Sequence, residues 1–438
     1  MSKTNRDDDD VNLPNDGRTP VAWMSDLRRR RLPGPRMHPQ RLSPETWRSS
    51  TIAVQGGTYQ DPLTGAVGSP IFASTTFLLD NNKYEAFHQG ITRDLPIYDR
   101  YGNPTQWAVQ DKISALEQAE STVVFASGMA AISTTLLALT NHGGHIVTSF
   151  DIYGGSYNLL RDDMYQLGRS VSFVDGTDFD QVRAAIRDNT QVIYLETLTN
   201  PLLKVPDLPA IVKLAHEHQI LVVVDNTFVS PAFLKAHALG VDVVVHSCTK
   251  YMNGHSDLTA GSASGSRKYV DRIWGQMMRL GGSLDPMGCF LLERGLKTLP
   301  LRMTAHSANS AAIAQYLSRH PKIRRVYHPT LDAPETRNVG WLREATGNRF
   351  GGMVSFEVEG GDAQAQRLLD LLTVPLVATS LGGVESLVSA PFNTSHSSLT
   401  ESQRRAAGIN PGLVRLSVGI EDLDDLVADL ESGLARIG

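Results

Sequence analysis

Two cysteines, Cys248 and Cys289, in 438 residues exclude a disulfide scaffold and any cysteine-only zinc cage. No apolar run approaches the roughly 18–20 residues needed to cross a bilayer. The first residues also lack the charged-then-apolar order of a secretory signal. Positive charge is not in excess: 41 Lys+Arg face 46 Asp+Glu, a net charge of -5. Nucleic-acid-binding domains instead carry a basic face or stripe. His216 and His218 lie two apart on a predicted helix, so they point to different faces and make a poor metal pair. No G-x-S-x-G elbow occurs, since Phe125-Ala126 precede Ser127. These absences predict no metal, no nucleic-acid partner and no membrane span. A soluble, cytoplasmic protein of enzyme size remains, long enough for two or three domains.

Residues 1–45 differ from the rest. They hold the acidic run Asp7–Asp10, the basic run Arg28–Arg31 and six prolines between Pro14 and Pro44. So little apolar surface cannot offset the entropy of ordering, and the stretch reads as a disordered extension. From about 105 to 265 short apolar runs alternate with helix-period segments. Strands are expected at 122–126, 145–150, 170–174, 191–196, 220–225, 241–246 and 258–263. Runs such as LVVVD and VDVVVH are apolar on both faces, as strands buried in a parallel-rich sheet are. Val109, Ile113 and Leu116 predict a helix after Pro104; Leu208, Ile211, Leu214 and Ala215 predict another after Pro206. This alternation means an α/β domain. The last third reads as a smaller α+β unit: a helical region at 296–320, strands at 352–358 and 413–418, and a closing helix with Leu423, Leu426, Val427, Leu430 and Leu434 on one stripe.

The segment VDVVVHSCTKYMNGHSD (241–257) carries the strongest chemical signal. A lysine at the mouth of an apolar sheet pays desolvation on its charged form, which lowers its pKa and frees a nucleophilic amine. Such lysines form Schiff bases with carbonyls, and the flanking Ser247 and Thr249 can donate to a phosphate. A lysine just past a strand end also simply reaches into solvent, so Lys250 alone assigns nothing. Asp225 closes the preceding strand, at the edge where open α/β sheets bind ligands. A carboxylate there can hold a pyridine nitrogen protonated, or merely cap a turn. Ser127-Gly128-Met129 follows a strand and opens a helix, where free N–H groups and the helix dipole favour an anion; alone it is an ordinary helix start. Tyr153 can stack on a planar ring and move a proton. Asn200, before Pro201, can bond a cofactor hydroxyl or start a turn. Cys248 reads as a small packed residue.

Together these strand ends carry a cradle, an aromatic, an amide, an acid and a lysine. YDRYGNPT (98–105), ASGMAA (126–131), YGGSY (153–157), ETLTNP (196–201), VVVDNTF (222–228), HSCTKYMNGHSD (246–257), ERGLKTLPLR (293–302), SLGGVESL (380–387) and RLSVGIED (415–422) run in order along the chain. From about Thr51 to the C-terminus the sequence resembles the pyridoxal-phosphate enzymes of cysteine and methionine metabolism. That family includes cystathionine γ-synthases, γ-lyases and β-lyases, methionine γ-lyases and homoserine-ester sulfhydrylases.

The resemblance implies fold type I, like the aspartate aminotransferases. A mostly parallel seven-stranded sheet forms the large domain, and a smaller α+β domain follows. It divides the chain into the extension at 1–45, an arm at 46–104 against a neighbouring subunit, a cofactor domain at 105–295 and a C-terminal domain at 296–438. It implies pyridoxal 5'-phosphate as cofactor, Schiff-base formation and proton transfer at Lys250, pairing of Asp225 with the ring nitrogen, and stacking by Tyr153. Gly128, Met129, Ser247 and Thr249 would hold the phosphate. Arg415 would grip the substrate α-carboxylate, helped by Asn200 and Ser380. Tyr98 and Arg100 would reach the phosphate of an adjacent subunit in a homotetramer, a dimer of dimers with shared active sites. The expected reaction is replacement or elimination at the γ-carbon of a homoserine-type or homocysteine-type amino acid, with a thiol as possible co-substrate. Tyr153-Gly154-Gly155-Ser156 favours γ-synthase, with γ-lyase and sulfhydrylase as alternatives. Methionine γ-lyases have a cysteine soon after the tyrosine, and many cystathionine γ-lyases have a glutamate where this chain has Thr379. The usual Met-Thr-His is here Thr394-Ser395-His396. A relative that has lost catalysis and acts as a binding protein is the competing reading, and intact Lys250, Asp225 and Tyr153 argue against it.

Overall fold

Asn103 caps the first long helix, its side chain accepting from the Thr105 N–H at 2.9 Å, and Pro104 supplies the fixed φ suited to a first helical turn. The computed structural model describes residues 47–391 and 408–438, apart from 60, 62, 63, 80 and 91. The expectations for 1–45 and for Thr394-Ser395-His396 fall outside the described residues.

After a short helix α1 (Ser49–Gln55), α2 (Pro104–Glu117) leads into seven strands: β1 (Ser121–Phe125), β2 (His145–Ser149), β3 (Ser170–Val174), β4 (Thr190–Glu196), β5 (Leu221–Asp225), β6 (Val243–Ser247) and β7 (Gly261–Gly265). They form one sheet in the order β1-β7-β6-β5-β4-β2-β3. The run from β6 to β3 is parallel, whereas β7 lies antiparallel to both neighbours. Alternate residues of the central strands feed two cores. Val222, Val224 and Val244 join one, while Val223, Val243 and Val245 join the other. Burial on both faces is why these runs read as continuously apolar. Helices α3 (Gly128–Leu139), α4 (Leu208–Glu217) and α5 (Arg267–Leu280) flank the sheet. Leu208, Ile211, Leu214 and Ala215 of α4 are buried, as their spacing required.

The seventh strand starts three residues later than expected. Thr249 exchanges hydrogen bonds with Ala260, the N–H donating at 3.2 Å and the hydroxyl accepting at 2.9 Å, which keeps 258–260 in the lysine loop. The strand itself is small by necessity: a Cβ on Gly261 would lie 2.3 Å from the Ser127 carbonyl oxygen.

Helices α6 (Pro286–Leu296) and α7 (Leu299–Leu317) precede a second sheet. Its strands β8 (Ile323–Tyr327), β9 (Met353–Val358), β10 (Leu376–Val377), β11 (Leu387–Ser389) and β12 (Leu413–Ser417) take the order β10-β11-β12-β9-β8. Val354, Phe356, Leu416 and Val418 pack with Leu426, Leu430 and Leu434 of the closing helix α8 (Leu423–Arg436). Each such buried side chain contributes roughly 1.5–3 kcal/mol. Among the described residues no helix is long and apolar enough to cross a membrane.

Candidate active site

The carboxyl ends of β4, β5 and β6 open onto a cavity of about 590 Å³, closed from the other side by 379–381 and by Arg415 of β12. Both sheets are therefore needed to build it. Lys250 follows β6 in a turn and donates from Nζ to Ser380 Oγ at 2.7 Å. Burial, and then the nearby Arg415 charge, lower its pKa to about 8. The amine is thus far easier to deprotonate than an exposed lysine.

Asp225 ends β5 and is 8% exposed. Its Oδ1 accepts from the Thr227 N–H at 2.9 Å and from the Thr227 hydroxyl. Burial raises the Asp225 pKa, while these two donors favour the carboxylate. The same Thr227 oxygen accepts from the Ser247 N–H at 2.9 Å, tying the ends of β5 and β6 together.

Opposite lies the cradle at the start of α3. Ser127 caps the helix by accepting from Ala130 N–H at 3.1 Å. A Cβ on Gly128 would lie 2.8 Å from both Cβ and Oγ of Ser247, so glycine keeps the space between helix start and strand end open. Met129 lines the same wall. Thr249 also lines the cavity, with its hydroxyl donating to the Ala260 carbonyl at 3.2 Å. Tyr153 stands over the opening and is 45% exposed.

The far wall is cationic. Arg415 is 6% exposed, and burial pushes its pKa down to about 10. Nη1 donates to Asn200 Oδ1 at 3.2 Å, and Nη2 donates to the Ser380 carbonyl at 3.1 Å. Ser380 has φ +81°, a left-handed conformation costly for a residue with a Cβ. That twist lets one residue meet the arginine with its carbonyl and the lysine with its hydroxyl.

Ten of the twelve predicted site residues line this one cavity: Gly128, Met129, Tyr153, Asn200, Asp225, Ser247, Thr249, Lys250, Ser380 and Arg415. Tyr98 and Arg100 do not line it. The Arg100 guanidinium lies over the rings of Tyr98 and Tyr101, 5.2 and 5.9 Å from their centroids, and its Nε is buried without a hydrogen-bond partner. Sequence reading missed Glu196 and Thr227. Glu196 ends β4 in register with Asp225 and accepts from the Tyr153 N–H at 2.7 Å. An acid closing the apolar run QVIYLE was the available signal. Cys248 is fully buried, and burial pushes its thiol up to about 12.

This donor set fits pyridoxal phosphate. A low-pKa amine suits a carbonyl, and a buried carboxylate suits a protonated ring nitrogen. A glycine-kept gap lined by Ser247 at a helix N-terminus suits a phosphate. The family of Cys/Met metabolism PLP-dependent enzymes matches residues 50–435. An L-methionine gamma-lyase of Fusobacterium nucleatum subsp. polymorphum is 41% identical over 88% of this chain and 98% of its own length. A cystathionine gamma-lyase of Bacillus subtilis is 38% identical over 89% and 100%. Among solved structures, cystathionine gamma-lyase from Lactobacillus plantarum complexed with L-serine superposes with a TM-score of 0.83 at 39% identity, covering 89% of this chain and 99% of that one. With its lysine, acid and cradle meeting in one cavity under that match, the chain belongs to the pyridoxal-phosphate-dependent enzymes of cysteine and methionine metabolism.

Proposed function

We propose that this enzyme removes the γ-substituent of a sulfur-containing or O-activated homoserine-type amino acid, consuming water and releasing a 2-oxo acid, ammonia and the leaving group. One observation carries the reading: the Lys250 amine and the Arg415 guanidinium meet on Ser380, within 2.7 and 3.1 Å of its two oxygens. A proton acceptor therefore stands beside a carboxylate grip, as abstraction at Cα requires.

Bound pyridoxal phosphate supplies the electron sink that makes the Cα and Cβ protons acidic. Arg415 grips the α-carboxylate with its planar fork, and Asn200 holds that fork in place. Lys250, aimed by the Ser380 hydroxyl, takes the Cα proton and then the Cβ proton. Tyr153 gives a proton to the departing heteroatom. Leu198, Phe228 and Leu381 offer the γ-substituent an apolar wall. Thr379, which lines the cavity, is uncharged where many cystathionine γ-lyases have a glutamate, so a substrate with an uncharged end, such as a simple thioether, suits the wall better. The lyase names of the relatives support elimination over replacement.

γ-Replacement by a thiol is the second reading. Its sequence support was the segment ending in Ser156, but that serine is fully buried and not among the cavity-lining residues, so it does not select between the two. The reading includes a cytoplasmic homotetramer with shared active sites, and the position of Tyr98 and Arg100 off their own chain's cavity fits the sharing. It retains a cofactor unit at 105–295 and a smaller unit at 296–438.

The test is product analysis with L-methionine, L-cystathionine and an O-acyl homoserine, each with and without an added thiol. A thiol-independent 2-oxo acid supports elimination. A thioether product formed in preference would install replacement instead. Lys250→Ala should abolish both while leaving thermal unfolding cooperative. A protein that stays colourless on reconstitution with the cofactor would favour the non-catalytic relative.

A further inference from the structure

Glu196 closes β4, directly in register with Asp225 at the end of β5. Two acids thus end adjacent parallel strands, where strand spacing is only about 4.8 Å. They are not equivalent. Thr227 gives Asp225 two donors, whereas Glu196 has no basic partner: among the described residues no lysine or arginine pairs with it, and Lys204 pairs with Asp151 at 3.1 Å. Glu196 is 6% exposed and lines the cavity.

Its hydrogen bond is with main chain: Oε1 accepts from the Tyr153 N–H at 2.7 Å. Tyr153 has extended backbone (φ -49°, ψ 131°) at the head of a five-residue helix, with no side-chain cap of its own. The Tyr153 ring is confined from beside: a Cβ on Gly155 would lie 2.6 Å from its Cε1 and 3.1 Å from Met129 Sδ.

We propose that Glu196 is a positioning residue whose buried carboxyl, through the Tyr153 N–H, sets the tyrosine over the cofactor ring. The inference rests on the reading of the cavity given above and deepens it. Burial and the neighbouring Asp225 raise the Glu196 pKa, and what the Tyr153 N–H requires of it is an acceptor oxygen. An amide of the same length keeps that acceptor. A methyl group removes it, and the shorter aspartic acid withdraws it from the N–H.

The experiment compares Glu196→Gln, Glu196→Ala and Glu196→Asp as reconstituted holoenzymes. Two readouts are taken: pyridoxal-phosphate affinity and circular dichroism of the bound cofactor. Neither needs a substrate, so a failure of the elimination reading leaves this test intact. Glu196→Gln should stay within about threefold of the parent in affinity and keep its dichroism band, as expected when an acceptor is kept. Glu196→Ala should lose about tenfold in cofactor affinity and show an altered dichroism band, the size of effect that misplacement of a positioning group brings. Glu196→Asp should fall between them, and it replaces the alanine variant if that one does not fold. A glutamine variant as impaired as the alanine variant would mean that the acid itself acts, and would overturn the proposal. So would an alanine or aspartate variant with unchanged dichroism and cofactor affinity.

Discussion

Lys250 Nζ and Ser380 Oγ, 130 residues apart in sequence, are joined by a 2.7 Å hydrogen bond across the gap between the two sheets. The bond aims the amine, and the adjacent Arg415 charge helps keep it deprotonated. Cofactor attachment to the apoprotein requires that free amine. Its rate should therefore rise with pH and level off above about 8, rather than above the 10.5 of an ordinary lysine. Below the midpoint the amine is protonated and cannot add to a carbonyl. Arg415→Gln, which removes the neighbouring positive charge, should move the midpoint upward, while Arg415→Lys should leave it nearly in place. Stopped-flow absorbance of reconstitution at several pH values measures this. A midpoint unmoved in Arg415→Gln would show that burial alone sets the lysine.

Arg415→Lys should separate charge from geometry. An ammonium keeps the positive charge but cannot present two parallel donors while also reaching Asn200 and Ser380. KM should rise about tenfold to a hundredfold, matching the roughly 1.5–3 kcal/mol of one hydrogen bond to a charged group. Steady-state kinetics with cofactor saturating checks this, and an unchanged KM would move the carboxylate site elsewhere.

Gly128→Ala tests the cradle. The added methyl would stand 2.8 Å from two atoms of Ser247 and occupy the space between helix start and strand end. Gly128 opens α3 with ordinary negative φ, so the backbone tolerates alanine, and overpacking of about 1–3 kcal/mol is the expected cost. The variant should fold, yet release pyridoxal phosphate on dialysis where the parent retains it. Equal retention would place the phosphate away from Gly128.

The half of the site on the large sheet was legible because its residues terminate apolar runs. Asp225 and Ser247–Lys250 stand where LVVVD and VVVHS stop, and both strands are buried on both faces. Residues of the second sheet were legible only through resemblance. Arg415 lies inside the short strand LVRLS, where alternation makes it an ordinary strand residue, and its meaning comes from long-range packing against Asn200. Strands β8, β10 and β11 escaped notice because five residues or fewer with mixed polarity carry little period-2 signal. The antiparallel course of β7 was equally hidden, since direction is set by tertiary closure and GSASG says only that its neighbours are close. Glu196 was overlooked within ETLTNP, since its partner is a backbone N–H group that no motif spells out.

Arg100 yields the most demanding prediction. Its guanidinium lies against the rings of Tyr98 and Tyr101, its Nε is buried without a partner, and neither it nor Tyr98 lines the cavity of its own chain. If the two groups complete the phosphate site of an adjacent subunit, cofactor binding and assembly are linked, because a ligand that binds only the assembled form stabilises it by mass action. Arg100→Ala should then loosen the cofactor and shift the oligomer toward smaller species on dilution, read by analytical ultracentrifugation with and without pyridoxal phosphate. Mixing inactive Arg100→Ala with inactive Lys250→Ala should restore part of the activity. A mixed pair contains one site with Lys250 from one chain and Arg100 from the other, both intact. Differently tagged variants establish that subunits have exchanged. Mixed oligomers that form and remain inactive would show that Arg100 serves its own chain.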